Sequence, residues 1–182
     1  LQDRLEPFLE RCCELGFDTV EVSDGTVPIG AKERRHAIQF ARTLGLNVLT
    51  EVGRKDPTDR LSGSEIHRLV VEDLEAGAHH IIVEGRESGQ GVGIYDEEGR
   101  IEEEEFLKMV HAAGDTHRLI WEAPQKSQQE ELIRRFGSDV NLGNVPPQEI
   151  LALEALRRGL RADTLRYALQ GSDTGEQRGS MV

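Results

Sequence analysis

Two hydrophobic periods alternate along this chain. Short apolar runs, Phe17 to Glu21, Asn47 to Glu51, Ile81 to Glu84, Arg118 to Glu122 and Asp139 to Leu142, read as strands. Between them, apolar residues recur every three or four positions. That spacing predicts helices over Asp3 to Leu15, Ala31 to Leu44, Ser64 to Ala76, Glu102 to Ala113, Ser127 to Phe136 and Pro147 to Arg158. Pro7 lies near the first turn of the first helix, and glycine follows each helix. Residues 171–182 are polar and glycine-rich and are expected to form a disordered tail, leaving 1–170 as a single domain.

Strand and helix alternate, and the strands lack polar alternation. This is the pattern of parallel strands covered on both faces. A doubly wound sheet places its ligand at one crevice, whereas a (β/α)8 barrel draws functional residues from many strand ends. Here the runs end in Glu21, Glu51, Glu84 and Glu122, and the fifth carries Asn141 and leads into Gly143-Asn144. The barrel is therefore preferred, yet it needs eight strands and only five are read. The chain also starts at Leu1 within a helix and without an initiator methionine. The expected fold is α/β, a partial (β/α)8 TIM barrel of five C-terminal βα units with the first three strands missing. Its first and last strands are then unsatisfied edges, which leaves homo-oligomerisation open.

Composition narrows the function classes. With 37% hydrophobic and 31% charged residues over 182 positions, the chain fits a soluble domain with a real core. It has no long apolar run and no signal-peptide pattern, so it is read as cytoplasmic. A net charge of −12 leaves no basic stripe to neutralise phosphates, which argues against nucleic-acid and anionic-membrane partners. Cys12 and Cys13, the only cysteines, are adjacent and imply neither a disulfide framework nor a zinc site.

The densest chemistry lies in IIVEGRESGQGVG, residues 81–93. An apolar run that stops at Glu84, with Arg86 two residues on, builds an anion or metal-anion site at one rim of a sheet. Glu51, Glu84 and Glu122 end consecutive strands and should point to that rim, either as an oxygen ligand set or as rim carboxylates paired with Arg54, Arg86 or Lys126. Glu21 and Asp24 are weaker candidates. The Gly89 to Gly93 run looks like a nucleotide loop, but a turn and not a helix follows it, so that reading is set aside. Glu102 to Glu105 reads as an acidic first helical turn, and His79 and His80 stand at the opposite rim.

VEVSDGT at 20–26, VLTEVGRKD at 48–56, DLEAGA at 73–78, IIVEGRESGQGVGIYDEEG at 81–99, WEAPQKSQQ at 121–129, VNLGNV at 140–145 and LEALRRGLRADT at 153–164 closely resemble the phosphosulfolactate synthase family. The resemblance runs from about Phe8 to Thr164. It implies a (β/α)8 barrel and a carbon-sulfur lyase that uses magnesium to add sulfite to phosphoenolpyruvate, giving (2R)-phospho-3-sulfolactate on the route to coenzyme M. It also implies three earlier strands, with a lysine on the second and a Pro-Gly-Gly-Thr segment after the third, none of which is in this chain. The family contains plant heat-stress-associated proteins and members outside coenzyme M synthesis. A non-enzymatic stress-associated role and another barrel lyase acting on a phosphorylated small acid are therefore the alternatives.

On that resemblance, Glu51, Glu84 and Glu122 would hold Mg2+ to screen the charge that sulfite addition builds on the substrate carboxylate. Lys55 would supply the proton, because it matches a lysine of the family motif EVGKK; Arg54 replaces the first lysine of that pair and hardly gives up its proton. Arg86 would grip a carboxylate or sulfite with its two-pronged donor face, or else pair structurally with Glu84 or Glu87. The expected substrate contacts are Arg54, Ser88, Gln125, Lys126, Asn141, Gly143 and Asn144. The last five follow the barrel rule that phosphate binds near the loops after the final strands.

Overall fold

The structure, a computed structural model, describes residues 4–24, 28–53, 61–162 and 164–165. Helices α1 (Leu5–Glu14), α2 (Ala31–Thr43), α3 (Gly63–Ala76), α4 (Glu103–Ala113), α5 (Lys126–Phe136) and α6 (Ile150–Arg157) alternate with strands β1 (Thr19–Val22), β2 (Asn47–Val52), β3 (His80–Val83), β4 (Leu119–Glu122) and β5 (Leu142–Gly143). The ends are set by local chemistry. Ser62 Oγ accepts from Glu65 N–H while the Glu65 carboxylate accepts from Ser62 N–H, a reciprocal cap that starts α3. Gln125 and Gln128 do the same for α5 with amides.

Every strand pair is parallel and the order is β1-β2-β3-β4-β5, with no reversal. A doubly wound sheet would show a switch in order, so the arrangement is α/β with sequential winding, compatible with an arc of a (β/α)8 barrel. The strand ends differ from expectation in detail. β1 runs to Val22, so Glu21 is not its last residue, and β5 shrinks to Leu142–Gly143.

Coverage of the two sheet faces is unequal, where the apolar strands had suggested equal cover. Val48, Thr50, Val52, Ile81, Val83, Leu119 and Trp121 are buried against the helices. Trp121, Phe106 and Phe136 form a triangular ring cluster, with centroids 5.2, 5.5 and 5.6 Å apart. On the other face Glu21 is exposed and Leu49, Ile120 and Glu122 are partly accessible, while Glu51, Ile82 and Glu84 are buried. An apolar run alone cannot distinguish a strand covered twice from one whose second face looks into an open interior. Among the described residues no helix is long and apolar enough to cross a membrane.

Candidate active site

The sheet register decides which strand-end acids meet. Val52 pairs with Val83, and Val83 with Trp121, so the residues one step on, Glu84 and Glu122, are lateral neighbours. Glu51 pairs with Ile82, two residues before Glu84, and side chains alternate along a strand, so all three acids share the face away from the helices. With Arg86, Glu87, Ser88 and Asn144 they line one open cavity of about 670 Å³. Glu51 and Glu84 are only 8% and 2% exposed, unusual for carboxylates without an ionic role.

These acids also shape the backbone around them. Gly85 N–H donates to Glu122 Oε2 at 2.8 Å, and Arg86 N–H donates to Glu84 Oε1 at 2.8 Å. Burial raises the Glu122 pKa, with the Glu84 and Glu21 charges adding to it and the Gly85 and Arg86 amides opposing. Arg86 adopts a left-handed backbone with φ of 56°, as does Asn144 at 53°. Tyr95 O–H donates to the Glu122 carbonyl at 2.7 Å, and burial first, then the Glu122 charge, push its pKa far up. It is a neutral brace.

The structure brings Glu51, Glu84, Glu122, Arg86, Ser88 and Asn144 to one cavity. Asn144 Nδ2 donates to Arg86 O at 2.8 Å. Gln125 sits beside the site, its Nε2 donating to Ser88 O at 2.8 Å. Lys126 is exposed, 4.0 Å from Glu149, and Gly143 lies in β5 against Ile120. Asn141 is elsewhere: its amide donates to His117 O and Leu119 O at the start of β4. Lys55 and Arg54 lie outside the described residues, as does the tail 171–182.

Three contributors escaped the sequence reading. Arg34 is buried and grips Asp73 through Nε and Nη2 at 2.9 and 2.6 Å, while Nη2 also donates to Glu51 O at 2.9 Å. Tyr95 and Gln128 were the other two. Only Gln128 left a local signal, the Gln-x-x-Gln spacing that opens α5.

Carboxylate oxygens are the donors that hard divalent cations take. Among the described residues no group of three or more His, Cys, Asp or Glu side chains is placed to hold a metal ion, so Glu51, Glu84 and Glu122 share a wall without forming a ready-made ligand set.

Comparison with known proteins agrees with this picture. The family model described as (2R)-phospho-3-sulfolactate synthase (ComA) matches residues 1–163. The phosphosulfolactate synthase of Methanothermobacter thermautotrophicus is 52% identical over 91% of this chain and 64% of its own length. That of Methanocaldococcus jannaschii is 47% identical over 88% of this chain and 64% of its own, and that of Bacillus subtilis 40% over 90% and 65%. The chain thus spans a little under two thirds of the relatives it matches. Agreement this extensive, over the segments that build the cavity, places the chain in the phosphosulfolactate synthase family.

Proposed function

We propose that the chain is five consecutive units of an eight-unit barrel, and that the protein adds sulfite to phosphoenolpyruvate, with magnesium, to give (2R)-phospho-3-sulfolactate. The observation that carries this is the gathering of Glu51, Glu84 and Glu122 with Arg86 around one cavity, in a chain of this family. In the reaction the sulfite sulfur donates its electron pair to the methylene carbon of phosphoenolpyruvate, forming the C–S bond. The carbon-carbon π pair moves toward the adjacent carbon and its carboxylate, and that carbon then takes a proton. Nothing leaves, so the task is to bring anions together, stabilise the carboxylate charge and deliver one proton.

Magnesium held by Glu51, Glu84 and Glu122 would supply Lewis-acid screening of that charge. Arg86, exposed at the cavity, offers a paired donor surface for the carboxylate or for sulfite. Lys55 is assigned the proton and Arg54 a substrate contact. Ser88 and Asn144 supply polar groups at the mouth, and Lys126 adds positive charge for the phosphate.

The test is loss of phosphoenolpyruvate by the full-length protein with Mg2+ and sulfite each supplied or withheld. Loss only when both are present is expected. Loss without sulfite would favour another lyase of phosphorylated acids, and no loss at all would favour a non-enzymatic role. Undiminished turnover in Lys55→Ala would take the proton from that residue.

Metal binding should also depend on pH. Protons compete with the cation for Glu122, whose pKa is raised by burial and by the Glu84 charge. Mg2+ affinity should therefore begin to fall at a higher pH than ordinary surface carboxylates would require. For folding the sign reverses: a carboxyl with a raised pKa stabilises the fold most in acid, and that contribution fades as pH rises through its folded-state pKa. Calorimetric titration of Mg2+ across a pH series checks the first statement; affinity constant down to the normal carboxylate range would contradict it.

A further inference from the structure

Arg86 lies beyond the end of β3, on a long connection to α4, so its place over the cavity depends on what holds that connection. The holding groups are side-chain amides from later elements. Asn144 takes Arg86 O and Gln125 takes Ser88 O. Gln128 Nε2 donates both to Gly89 O at 2.7 Å and to Gly99 O at 3.0 Å. Its Oε1 accepts from Gln125 N–H at 3.0 Å, so the head of this side chain is engaged at both atoms.

Gln128 differs from the other two amides in position. It is 2% exposed and does not line the cavity of the carboxylates; it borders a separate one of about 310 Å³ beside Gly99 and Arg135. It pins both ends of the glycine-rich excursion 89–99, immediately after the segment that carries Arg86 and Ser88. Gly89 fits tightly over it, since a Cβ there would stand 2.6 Å from the amide. One buried side chain on α5 therefore sets the height of a loop that springs from β3. Glu51 and Glu122 sit on β2 and β4 and Glu84 directly follows β3, so the sheet sets their backbone, although Glu84 and Glu122 also accept from Arg86 N–H and Gly85 N–H.

We propose that Gln128 is a positioning residue for the anion-binding half of the site, holding Arg86 and Ser88 at their working distance from the carboxylates. This rests on the reading of Arg86 as the anion-binding group. It predicts a split response that general loosening of the fold would not give.

In Gln128→Met, which keeps size and reach but removes both donors, the dissociation constant for sulfite should rise at least about tenfold. That for Mg2+ should change less than about twofold, while amide exchange over residues 86–101 accelerates and β3 and α4 stay protected. If Gln128→Met fails to fold, Gln128→Asn keeps an uncharged amide and shortens its reach by one methylene, and should show the same split in smaller measure. Equal losses for both ions with exchange raised throughout would reduce Gln128 to a structural residue. Unchanged sulfite binding with unchanged exchange would also overturn the proposal. A wild-type protein that binds Mg2+ but no sulfite would instead remove the anion role of Arg86, while accelerated exchange confined to the loop in Gln128→Met would still establish the latch.

Discussion

Asp73→Ala is expected to destabilise the protein by about 3 to 5 kcal/mol, the usual result of stripping one partner from a buried ion pair. Arg34 and Asp73 have side chains only 6% and 3% exposed. Burial works against the Arg34 charge, and the Asp73 hydrogen bond and charge, followed by Asp24 and Glu51, more than restore it, so its pKa is raised. Remove Asp73 and, among the described residues, the guanidinium is left inside with the Glu51 carbonyl and, 3.8 Å away, the Asp24 carboxylate. Arg34→Met combined with Asp73→Leu should cost less than Asp73→Ala alone, because no charge is then stranded. Urea unfolding gives both values. A single-variant loss under about 1 kcal/mol would mean that the pair is solvated in practice.

The same pair shows where reading the sequence stops. Arg34 and Asp73 are 39 residues apart, on two helices, and each looks locally like a surface charge in a polar stretch. The alternation of runs and periods was legible because strands and helices bury one face each. That Glu84 and Glu122 would meet at one rim was legible because both close apolar runs that pair as neighbouring strands. Partnerships across the sheet were not. Gln125 and Asn141 have the donor groups that a phosphate site needs, yet the structure spends them on Ser88 O and on the start of β4. Amide side chains bind carbonyls and phosphates alike, and only the third dimension shows which is within reach. The stretch after Gly93 read simply as a turn, but Ile94 and Tyr95 are buried in the core, with Val92 buried just before them.

Gly93→Ala should disrupt the site, whereas Gly45→Ala should merely weaken the fold. Both glycines have positive φ, 59° and 83°, so each substitution carries the left-handed backbone cost of about 1 to 2 kcal/mol. At Gly45, after α2, an added Cβ meets nothing within 4 Å, and that cost is the whole effect. At Gly93 the Cβ would overlap the carbonyl oxygen of Glu84. The obstacle is backbone, which cannot swing aside as a side chain can, and overpacking adds about 1 to 3 kcal/mol. Nor can Glu84 retreat toward β2, where Gly53 already stands so close that a Cβ on it would be 2.6 Å from Glu84 Cβ. The strain must move the very residue whose carboxylate lines the cavity. Mg2+ affinity in Gly93→Ala is therefore expected to fall about tenfold or more, a loss of about 1.4 kcal/mol in binding, with no comparable fall in Gly45→Ala. Two variants with matching unfolding free energies and matching Mg2+ affinities would show that the crowding around Glu84 relaxes at no cost, and the reading of these glycines as its mould would fail.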